Sequence, residues 1–428
     1  MSSSSTFSNT SIELTKQLSK TDKKEQGIFF TPPAIVDILI QKCITHQMKI
    51  KENGNPPFRR ILEPSAGSGE IIRGIHRSGI TGAIIDAVEY NPTIYARASV
   101  DPETNDPKNT VRWFHADFIQ FPPPSMEAHN YDFIVGNPPY LVVGKETVPP
   151  QYAEYMVGRP NLFGLFIVHS MSLLADNGIL AFVIPKSFLN SAYYATIRNY
   201  MKHNGVLLEI VDFTANGGFM ETQQATIGMI YRKTTLVVAP TECPYSIRLG
   251  TNFVFSENAQ HLRNIFVGST TLSRLGLAVK TGNIVWNQKK ELLTDDGTDT
   301  LLIYNSNITD QHGIRLLDFE RNDAKKQFIR MEGSADTVIV VNRGNGNSAY
   351  KHTYALVQGT AERPYLVENH LNVIYAPPTM SITEKTRVLN QVLQSFQHPK
   401  TELFIRAFLG NNGLSKTELE TIFPIFVE

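Results

Sequence analysis

One tetrapeptide in this sequence is well suited to chemistry on an amino group: Asn137-Pro138-Pro139-Tyr140. The side-chain oxygen of Asn137 and the carbonyl of Pro138 can accept both N–H bonds of an exocyclic amine such as that of adenine. Accepting both bonds moves the nitrogen towards a tetrahedral geometry and frees a lone pair that is otherwise delocalised into the ring. Two prolines fix the backbone and bring no competing N–H, and Tyr140 offers a flat face for stacking. The alternative is a proline-rich turn with a surface tyrosine.

A glycine-rich turn lies upstream of the tetrapeptide, at residues 64–69. It follows the short apolar run 60–63 and precedes the helical pattern 70–77. Glycine lets the backbone approach a ligand closely, and a helix N-terminus supplies unpaired N–H groups. Many strand-to-helix turns contain glycine for steric reasons only, so this turn alone leaves both interpretations open.

Two acidic residues follow at the ends of the next two predicted strands. Glu89 lies about 20 residues beyond the glycine turn, where an acid can accept the hydroxyls of a ribose. Asp117 can accept from an exocyclic amine, and Phe118 can cover the face of a purine. Each acid alone is more often a helix cap or a solvated turn residue. Their occurrence at successive strand ends predicts a nucleoside site.

Short apolar runs alternate with helical patterns through the first half of the chain. Strands are predicted at 60–63, 83–89, 111–116, 131–136, 179–184, 206–213 and 225–231, and helices at 70–77, 162–175 and 193–203. This alternation predicts an α/β, Rossmann-like domain with seven strands in an open, mostly parallel sheet covered on both faces. Ligands of such sheets bind at the carboxyl ends of the strands.

The alternation ends after residue 231, and shorter strand-like pieces and loops follow, with a helix predicted at 381–396. We therefore predict a mixed α+β domain over residues 237–428, an α/β domain over 25–236, and a disordered tail over 1–24 whose beginning is rich in Ser and Thr.

Composition excludes several classes of protein. The formal net charge of this 428-residue chain is zero, which disfavours a strongly basic nucleic-acid binder but allows a local basic groove. Cys43 and Cys243 are isolated, so neither a disulfide framework nor a zinc site is expected. No apolar run approaches the roughly 20 residues that span a membrane. A reducing cytoplasm fits these features best.

These motifs together resemble the amino-methyltransferases. The order of the motifs is similar to that of the gamma-class, TaqI-type DNA adenine-N6 methyltransferases of restriction-modification systems, and the resemblance is strongest over residues 27–232. In that class the cofactor motifs come first, the catalytic tetrapeptide follows, and a target-recognition domain lies at the C-terminus. The resemblance implies methylation of adenine N6 at a specific duplex sequence, with S-adenosylmethionine as the cofactor and without a metal.

The resemblance also implies roles for individual residues. Thr31, Glu63, Ala66 and Gly67 are expected near the methionine end of the cofactor, Glu89 at its ribose, and Asp117, Phe118 and Phe166 around its adenine. Asn137 is expected to contact the cofactor as well. Phe166 has core packing as its alternative. An adenine flipped out of the duplex is expected to lie between Tyr140 and Phe219, with its amino group on Asn137 and Pro138.

The resemblance implies that the C-terminal half recognises the bases of the DNA in the major groove. Its polar loops contain the candidate DNA contacts Asn283, Arg343, Asn345 and Lys351. Double-stranded DNA is the expected partner. The resemblance also allows a separate restriction endonuclease that acts on the same DNA site. The class implies a monomer in a bacterial or phage-infected cell. Residues 368–374 resemble a recurrent segment of such domains to which we assign no chemical role.

Three alternatives stay open. The same tetrapeptide occurs in glutamine-N5 methyltransferases that modify release factors, which are shorter and have no large domain after the catalytic one. A ribosomal RNA amino-methyltransferase is disfavoured for the same reason. A DNA-binding subunit that kept the fold without activity is disfavoured because Glu89, Asp117, Asn137 and Tyr140 are all present.

Overall fold

The computed structural model describes residues 6–49, 57–122, 130–213, 225–234, 244–250, 252–319, 324–344, 350–409 and 413–426. The chain forms two compact units, one of residues 1–246 with 254–257 and one of residues 247–253 with 258–428. The predicted boundary between residues 236 and 237 falls within 235–243, outside the described residues.

The first unit is built on one sheet of seven strands. They are β1 (Arg60–Glu63), β2 (Ile84–Glu89), β3 (Thr110–His115), β4 (Tyr131–Gly136), β5 (Leu174–Pro185), β6 (Gly205–Asp212) and β7 (Thr226–Lys233). The strand order is β3-β2-β1-β4-β5-β7-β6. All pairs are parallel except those of β7, which runs antiparallel to both β5 and β6. The predicted Rossmann-like, mostly parallel sheet is confirmed.

Helices cover both faces of this sheet. They are α1 (Asn9–Gln17), α2 (Lys20–Gln26), α3 (Pro33–Met48), α4 (Glu70–Arg77), α5 (Pro92–Ala98), α6 (Leu162–Leu173) and α7 (Ala195–Asn204). Every residue from Ile179 to Ile184 in β5 is buried, and successive strand residues point to opposite faces, so neither face is open to solvent there. Gly74 of α4 lets Val36 of α3 approach, because an added Cβ would meet Val36 Cγ1 at 2.2 Å. β5 begins at Leu174 rather than at residue 179.

The prediction of a disordered tail over residues 1–24 is wrong for residues 6–24, which form α1 and most of α2. Ser8 and Ser19 cap these helices by accepting from the N–H groups of Ser11 and Asp22. The Ser- and Thr-rich composition was misleading because the hydroxyls of Thr10 and Ser11 are buried against polar partners instead of being solvated.

The polar face of α1 is anchored beside the glycine turn. Ser11 is fully buried, and its Oγ lies 2.5 Å from Glu70 Oε1 and 2.7 Å from Ser68 Oγ. The N–H of Ser8 donates to the same Glu70 oxygen at 2.9 Å. Thr10 donates its hydroxyl to Asp101. The N-terminal helix α1 is therefore attached to the start of α4, where the glycine turn ends.

The remaining strands form smaller sheets. They are β8 (Ser246–Leu249), β9 (Asn252–Phe255), β10 (Ser269–Thr270), β11 (Ala278–Thr281), β12 (Leu293–Thr294), β13 (Thr300–Ile303), β14 (Phe328–Ile329), β15 (Thr337–Asn342), β16 (Tyr354–Gln358), β17 (Tyr365–Val367), β18 (Leu371–Tyr375) and β19 (Ile425–Phe426). Two four-stranded sheets have the orders β11-β18-β15-β16 and β12-β14-β13-β17, and two two-stranded sheets pair β8 with β9 and β10 with β19.

The helices of the second unit are α8 (Ala259–Phe266), α9 (Ile382–Gln397), α10 (Pro399–Phe404) and α11 (Lys416–Thr421). The predicted helix at 381–396 corresponds to α9, whose N-cap is Ser381. Most strand pairs of this unit are antiparallel, with β13 and β17 as a parallel pair. The predicted mixed α+β character is confirmed.

We expect Ser11→Ala to lower the free energy of unfolding by about 1–3 kcal/mol, because the change leaves buried Glu70 and Ser68 without their partner. Urea unfolding followed by far-UV circular dichroism measures this. Ser99→Ala is the matched control, since Ser99 is only half-buried. Equal midpoints for the two variants would mean that α1 contributes no such anchoring.

Candidate cofactor and catalytic site

Three neighbouring strands bring the predicted site residues to one edge of the sheet. β1 lies between β2 and β4 and is parallel to both. The glycine turn follows β1, Glu89 ends β2, and Asn137 follows β4 directly. The carboxyl ends of these strands therefore place the turn between the acid and the tetrapeptide, as expected for a ligand site of this fold.

The glycine turn has a backbone that only glycine adopts easily. Gly67 has φ +53° and Gly69 has φ +84°. A Cβ added at Gly67 would lie 3.4 Å from the ring of Phe30. The N–H of Gly67 donates to Glu89 Oε2 at 2.8 Å, and the N–H of Ala66 donates to the carbonyl of Val88 at 2.9 Å. The turn is thus held against the end of β2.

Glu89 is buried and oriented by the backbone. Its Oε2 accepts from Gly67, and its Oε1 accepts from the N–H of Asn91 at 2.7 Å. Burial raises the pKa of Glu89, and the two backbone N–H groups oppose that rise because they stabilise the carboxylate. Each oxygen keeps a further lone pair, so the carboxylate can still accept from ligand hydroxyls.

Glu63 is a buried acid with an unused acceptor. Only 1% of its surface is exposed, and its Oε2 has no hydrogen-bond partner among the described residues. Burial, followed by the nearby Glu89, raises the pKa of Glu63 well above its usual range. Ser65 Oγ, in the same turn, is buried without a partner in the described structure as well. Buried polar groups are nearly always paired, so this end of the turn fits a ligand that brings a cation or hydrogen-bond donors.

The predicted purine-binding residues are also together. Asp117 caps the turn after β3 by accepting from the N–H of Ile119 at 3.0 Å. The rings of Phe118 and Phe166 are both buried, with centroids 4.7 Å apart. Phe166 is buried in the core and also packs against Phe118. Both interpretations of Phe166, core packing and contact with the cofactor's adenine, agree with this position.

Sequence reasoning missed His169, which supports this aromatic pair. Its ring packs edge-on against Phe118, with centroids 4.7 Å apart. Its Nε2 lies 2.6 Å from the carbonyl of Phe121, and its Nδ1 lies 2.6 Å from the hydroxyl of Tyr152. A carbonyl only accepts, so Nε2 carries the proton and Nδ1 accepts from Tyr152. Burial lowers the pKa of His169, which favours this neutral form. The spacing of three residues from Phe166 in α6 was the signal that could have identified it.

The carboxamide of Asn137 is held by hydrogen bonds from both of its ends. Its Nδ2 donates to the carbonyl of Phe29 at 3.2 Å, and its Oδ1 accepts from the hydroxyl of Tyr140 at 2.9 Å. Tyr140 is half-buried, and its ring meets Phe163 edge-to-face. Burial raises the pKa of Tyr140, so its hydroxyl remains a donor. Pro138 follows Asn137 and is buried.

Residues 27–31 precede both segments in sequence and contact both the glycine turn and the tetrapeptide. Gly27 has φ +64°, and a Cβ added there would lie 3.1 Å from Pro139 Cβ. Phe30 lies against Gly67, and Thr31 is buried just before α3. The structure therefore brings Thr31, Glu63, Ala66, Gly67, Glu89 and Asn137 to one edge of the sheet. Phe219 lies in residues 214–224, outside the described residues.

The candidate DNA-contact residues differ in how free their side chains are. Asn283 is exposed. Arg343 donates from Nη1 to the carbonyl of Asn369 at 2.8 Å, which commits part of its guanidinium to the fold. Lys351 is 73% exposed and forms an ion pair with Asp310 at 2.8 Å. Asn345 lies in residues 345–349, outside the described residues.

Two of these loops meet at one end of the sheet β11-β18-β15-β16. The N–H of Gly282 donates to the carbonyl of Leu371, and the N–H of Arg343 donates to the carbonyl of His370. Residues 368–374 thus have a structural role, because they turn from β17 into β18, the strand between β11 and β15. Glu368 closes this turn by accepting from the N–H and from Nδ1 of His370.

The part of the chain that the structure describes contains no group of three or more His, Cys, Asp or Glu side chains placed to hold a metal ion. It also contains no helix of sufficient length and apolarity to cross a bilayer.

Comparison with known proteins shows that the chain is similar to restriction-modification methylases. Residues 82–219 match the family described as Eco57I restriction-modification methylase. The type II methyltransferase M.CvrRI of Paramecium bursaria Chlorella virus XZ-6E is 27% identical over 427 residues, covering 98% of this chain and 99% of that protein. The modification methylase CviBIII of Paramecium bursaria Chlorella virus NC1A is 26% identical, with the same coverage of both chains.

A relative from Thermus thermophilus matches a smaller part of the chain. The type II methyltransferase M.TthHB8I of Thermus thermophilus is 28% identical over 187 residues, covering 41% of this chain and 38% of that protein. The resemblance to restriction-modification DNA methyltransferases is confirmed. Together with the fold it supports DNA methylation with S-adenosylmethionine as the cofactor.

The unpaired acceptor of Glu63 generates a prediction about cofactor binding. Glu63→Gln should weaken the binding of S-adenosylhomocysteine by about tenfold or more, because a hydrogen bond to a charged group contributes roughly 1.5–3 kcal/mol. It should leave the binding of 5′-methylthioadenosine unchanged, because that molecule lacks the amino-acid end. Glu89→Gln is the comparison variant and should weaken both ligands, since both contain the ribose. Titration calorimetry measures all of these affinities. Equal losses for both ligands in Glu63→Gln would place Glu63 elsewhere than at the methionine end.

Proposed function

We propose that this protein transfers a methyl group from S-adenosylmethionine to the N6 amino group of adenine within a specific double-stranded DNA sequence. One observation supports this most directly. Asn137 and Pro138 follow β4, the strand next to β1 and its glycine turn, and a half-buried tyrosine ring stands beside them. Two amino-group acceptors and a stacking surface are thus adjacent to the turn that fits the cofactor.

The acceptor pair makes the amino nitrogen nucleophilic. In adenine its lone pair is delocalised into the ring, and Asn137 Oδ1 with the carbonyl of Pro138 accepts both N–H bonds. Bound S-adenosylmethionine supplies a methyl group on a positively charged sulfonium. A new N–C bond forms as the S–C bond breaks, and the surplus proton of the nitrogen leaves to solvent. Because both acceptors are fixed before the reaction, catalysis rests on positioning and on preorganised dipoles.

Base flipping is required because N6 is inaccessible to such a site while adenine is stacked in a duplex. We propose that the Tyr140 ring stacks on the extruded base, since it is the aromatic residue adjoining Asn137. Phe219 is proposed for the opposite face of the base. Stacking of a base on an aromatic ring contributes about 1–3 kcal/mol.

The cofactor residues are proposed in the order in which they lie along the sheet edge. The methionine end is assigned to Thr31, Glu63, Ala66, Gly67 and Asn137, the ribose to Glu89, and the adenine to Asp117, Phe118 and Phe166. Support comes from the unpaired oxygen of Glu63, the remaining acceptor capacity of Glu89, and the paired rings of Phe118 and Phe166.

Target recognition is proposed for residues 237–428. Asn283 is the best supported of the candidate contacts, because it is exposed on a loop that meets the Arg343 loop at residues 368–371. Lys351 is proposed as a phosphate contact, with Arg343 and Asn345 as further candidates. We also propose that the protein is a monomer and that its reaction needs no metal. A separate restriction endonuclease would act on the same DNA sequence.

The alternative is a glutamine-N5 or ribosomal RNA amino-methyltransferase, because the same acceptor pair suits a carboxamide or another base. DNA is favoured because a type II methyltransferase and a modification methylase match this chain over 98% of its length.

Asn137→Ala should lower the rate of methyl transfer by about 100- to 1,000-fold, the loss typical of removing one preorganised group at a developing charge. Binding of S-adenosylhomocysteine should survive with at most a modest loss of affinity, because Asn137 is one of five residues proposed at the methionine end. Tritiated methyl transfer to genomic DNA, followed by chromatography of the nucleosides, measures both the rate and the product. The matched control is Asn199→Ala on the exposed face of α7. Full activity of Asn137→Ala, or label in protein or RNA only, would refute the proposal.

A further inference from the structure

The orientation of the Asn137 carboxamide decides whether it can accept an amino group. An oxygen must face the substrate, and a carboxamide turned by 180° would present an NH₂ group there. The Nδ2 atom lies 3.2 Å from the carbonyl of Phe29, which can only accept. This contact assigns nitrogen to the Phe29 side and oxygen to the Tyr140 side.

The contact with Phe29 is long for a hydrogen bond, since N–H···O distances in proteins centre on about 2.9–3.0 Å. The bond from the Tyr140 hydroxyl to Asn137 Oδ1 is shorter, at 2.9 Å. Oδ1 has two lone pairs, so one can hold the hydroxyl while the other accepts an N–H bond of the substrate.

The hydroxyl of Tyr140 is itself held by a second acceptor. It lies 3.0 Å from the carbonyl of Val183, a fully buried residue of β5. The single proton is shared between the two acceptors in a three-centre hydrogen bond, so the hydroxyl joins Asn137 Oδ1 to the backbone of β5. Burial also keeps this hydroxyl protonated, because it raises the pKa of Tyr140.

We propose that the Tyr140 hydroxyl is a positioning group for Asn137, a role separate from stacking by the Tyr140 ring. It holds Oδ1 towards the substrate by linking the tetrapeptide to β5, and it prevents the turned carboxamide. This inference rests on the proposed amino methylation. A phenylalanine at this position would stack equally well and would leave Oδ1 without its shorter hydrogen bond.

Tyr140→Phe therefore separates the two roles. We expect kcat to fall about fivefold to tenfold, as for the loss of one typical hydrogen bond. KM for DNA and the affinity for S-adenosylhomocysteine should stay at their wild-type values. The fluorescence of 2-aminopurine placed at the target position should also be unchanged, because the ring still stacks on the extruded base.

The matched control is Tyr231→Phe, which removes another buried hydroxyl. The Tyr231 hydroxyl donates to the carbonyl of Met201 at 2.8 Å, and Tyr231 has no role in the proposed site. This variant should keep the wild-type kcat. A similar loss in both variants would show a general effect on the fold and would overturn the proposal.

Two results of Tyr140→Phe would also overturn it. A wild-type kcat would mean that Asn137 needs no hydrogen bond from the hydroxyl. If kcat and the 2-aminopurine fluorescence signal were both lost, the hydroxyl would be assigned to base binding. Failure of the proposed function is distinguishable, because it is seen in the wild-type chain as an absence of methylated adenine. In that case the kcat ratio of the variant to the wild-type chain, measured on the actual amino substrate, still decides the role of the hydroxyl.

Discussion

The hydrogen bond from the Gly67 N–H to the buried carboxylate of Glu89 is the interaction on which the site depends. Burying a carboxylate is costly unless it is well paired, and Glu89 is paired by two backbone N–H groups, one from the turn after β1 and one from the start of α5. The same bond fixes a turn that only glycine adopts easily. Because β1 lies between β2 and β4, the fixed turn lies between Glu89 and Asn137 at one edge of the sheet.

The N-terminal segment is the second element that joins these parts. α1 is attached to Ser68 and Glu70 at the start of α4, and the chain that follows α2 reaches the carboxamide of Asn137 through the carbonyl of Phe29. One continuous segment outside the sheet therefore contacts both the glycine turn and the Asn137 tetrapeptide. In the proposed function, this segment supports both cofactor binding and the orientation of the acceptor.

Sequence reasoning predicted the sheet well, because buried parallel strands are short apolar runs between helices. It also placed Glu89 and Asn137 at the carboxyl ends of strands, the edge at which ligands of such sheets bind. It missed α1, since the burial of Ser11 depends on Glu70, which is distant in sequence. It also missed the hydrogen bonds of His169 to Phe121 and Tyr152, and the commitment of Arg343 to the backbone of Asn369. These are tertiary contacts of polar side chains, which hydrophobic periodicity does not report.

The central claim is that two acceptors beside a cofactor turn direct a methyl group to adenine N6 in a chosen DNA sequence. It is tested most directly by expressing the chain in a methylation-deficient bacterium and sequencing the genomic DNA with detection of modified bases. The account predicts N6-methyladenine confined to one short sequence motif. Genomic DNA without modified adenine, from cells that contain folded protein able to bind S-adenosylhomocysteine, would contradict it.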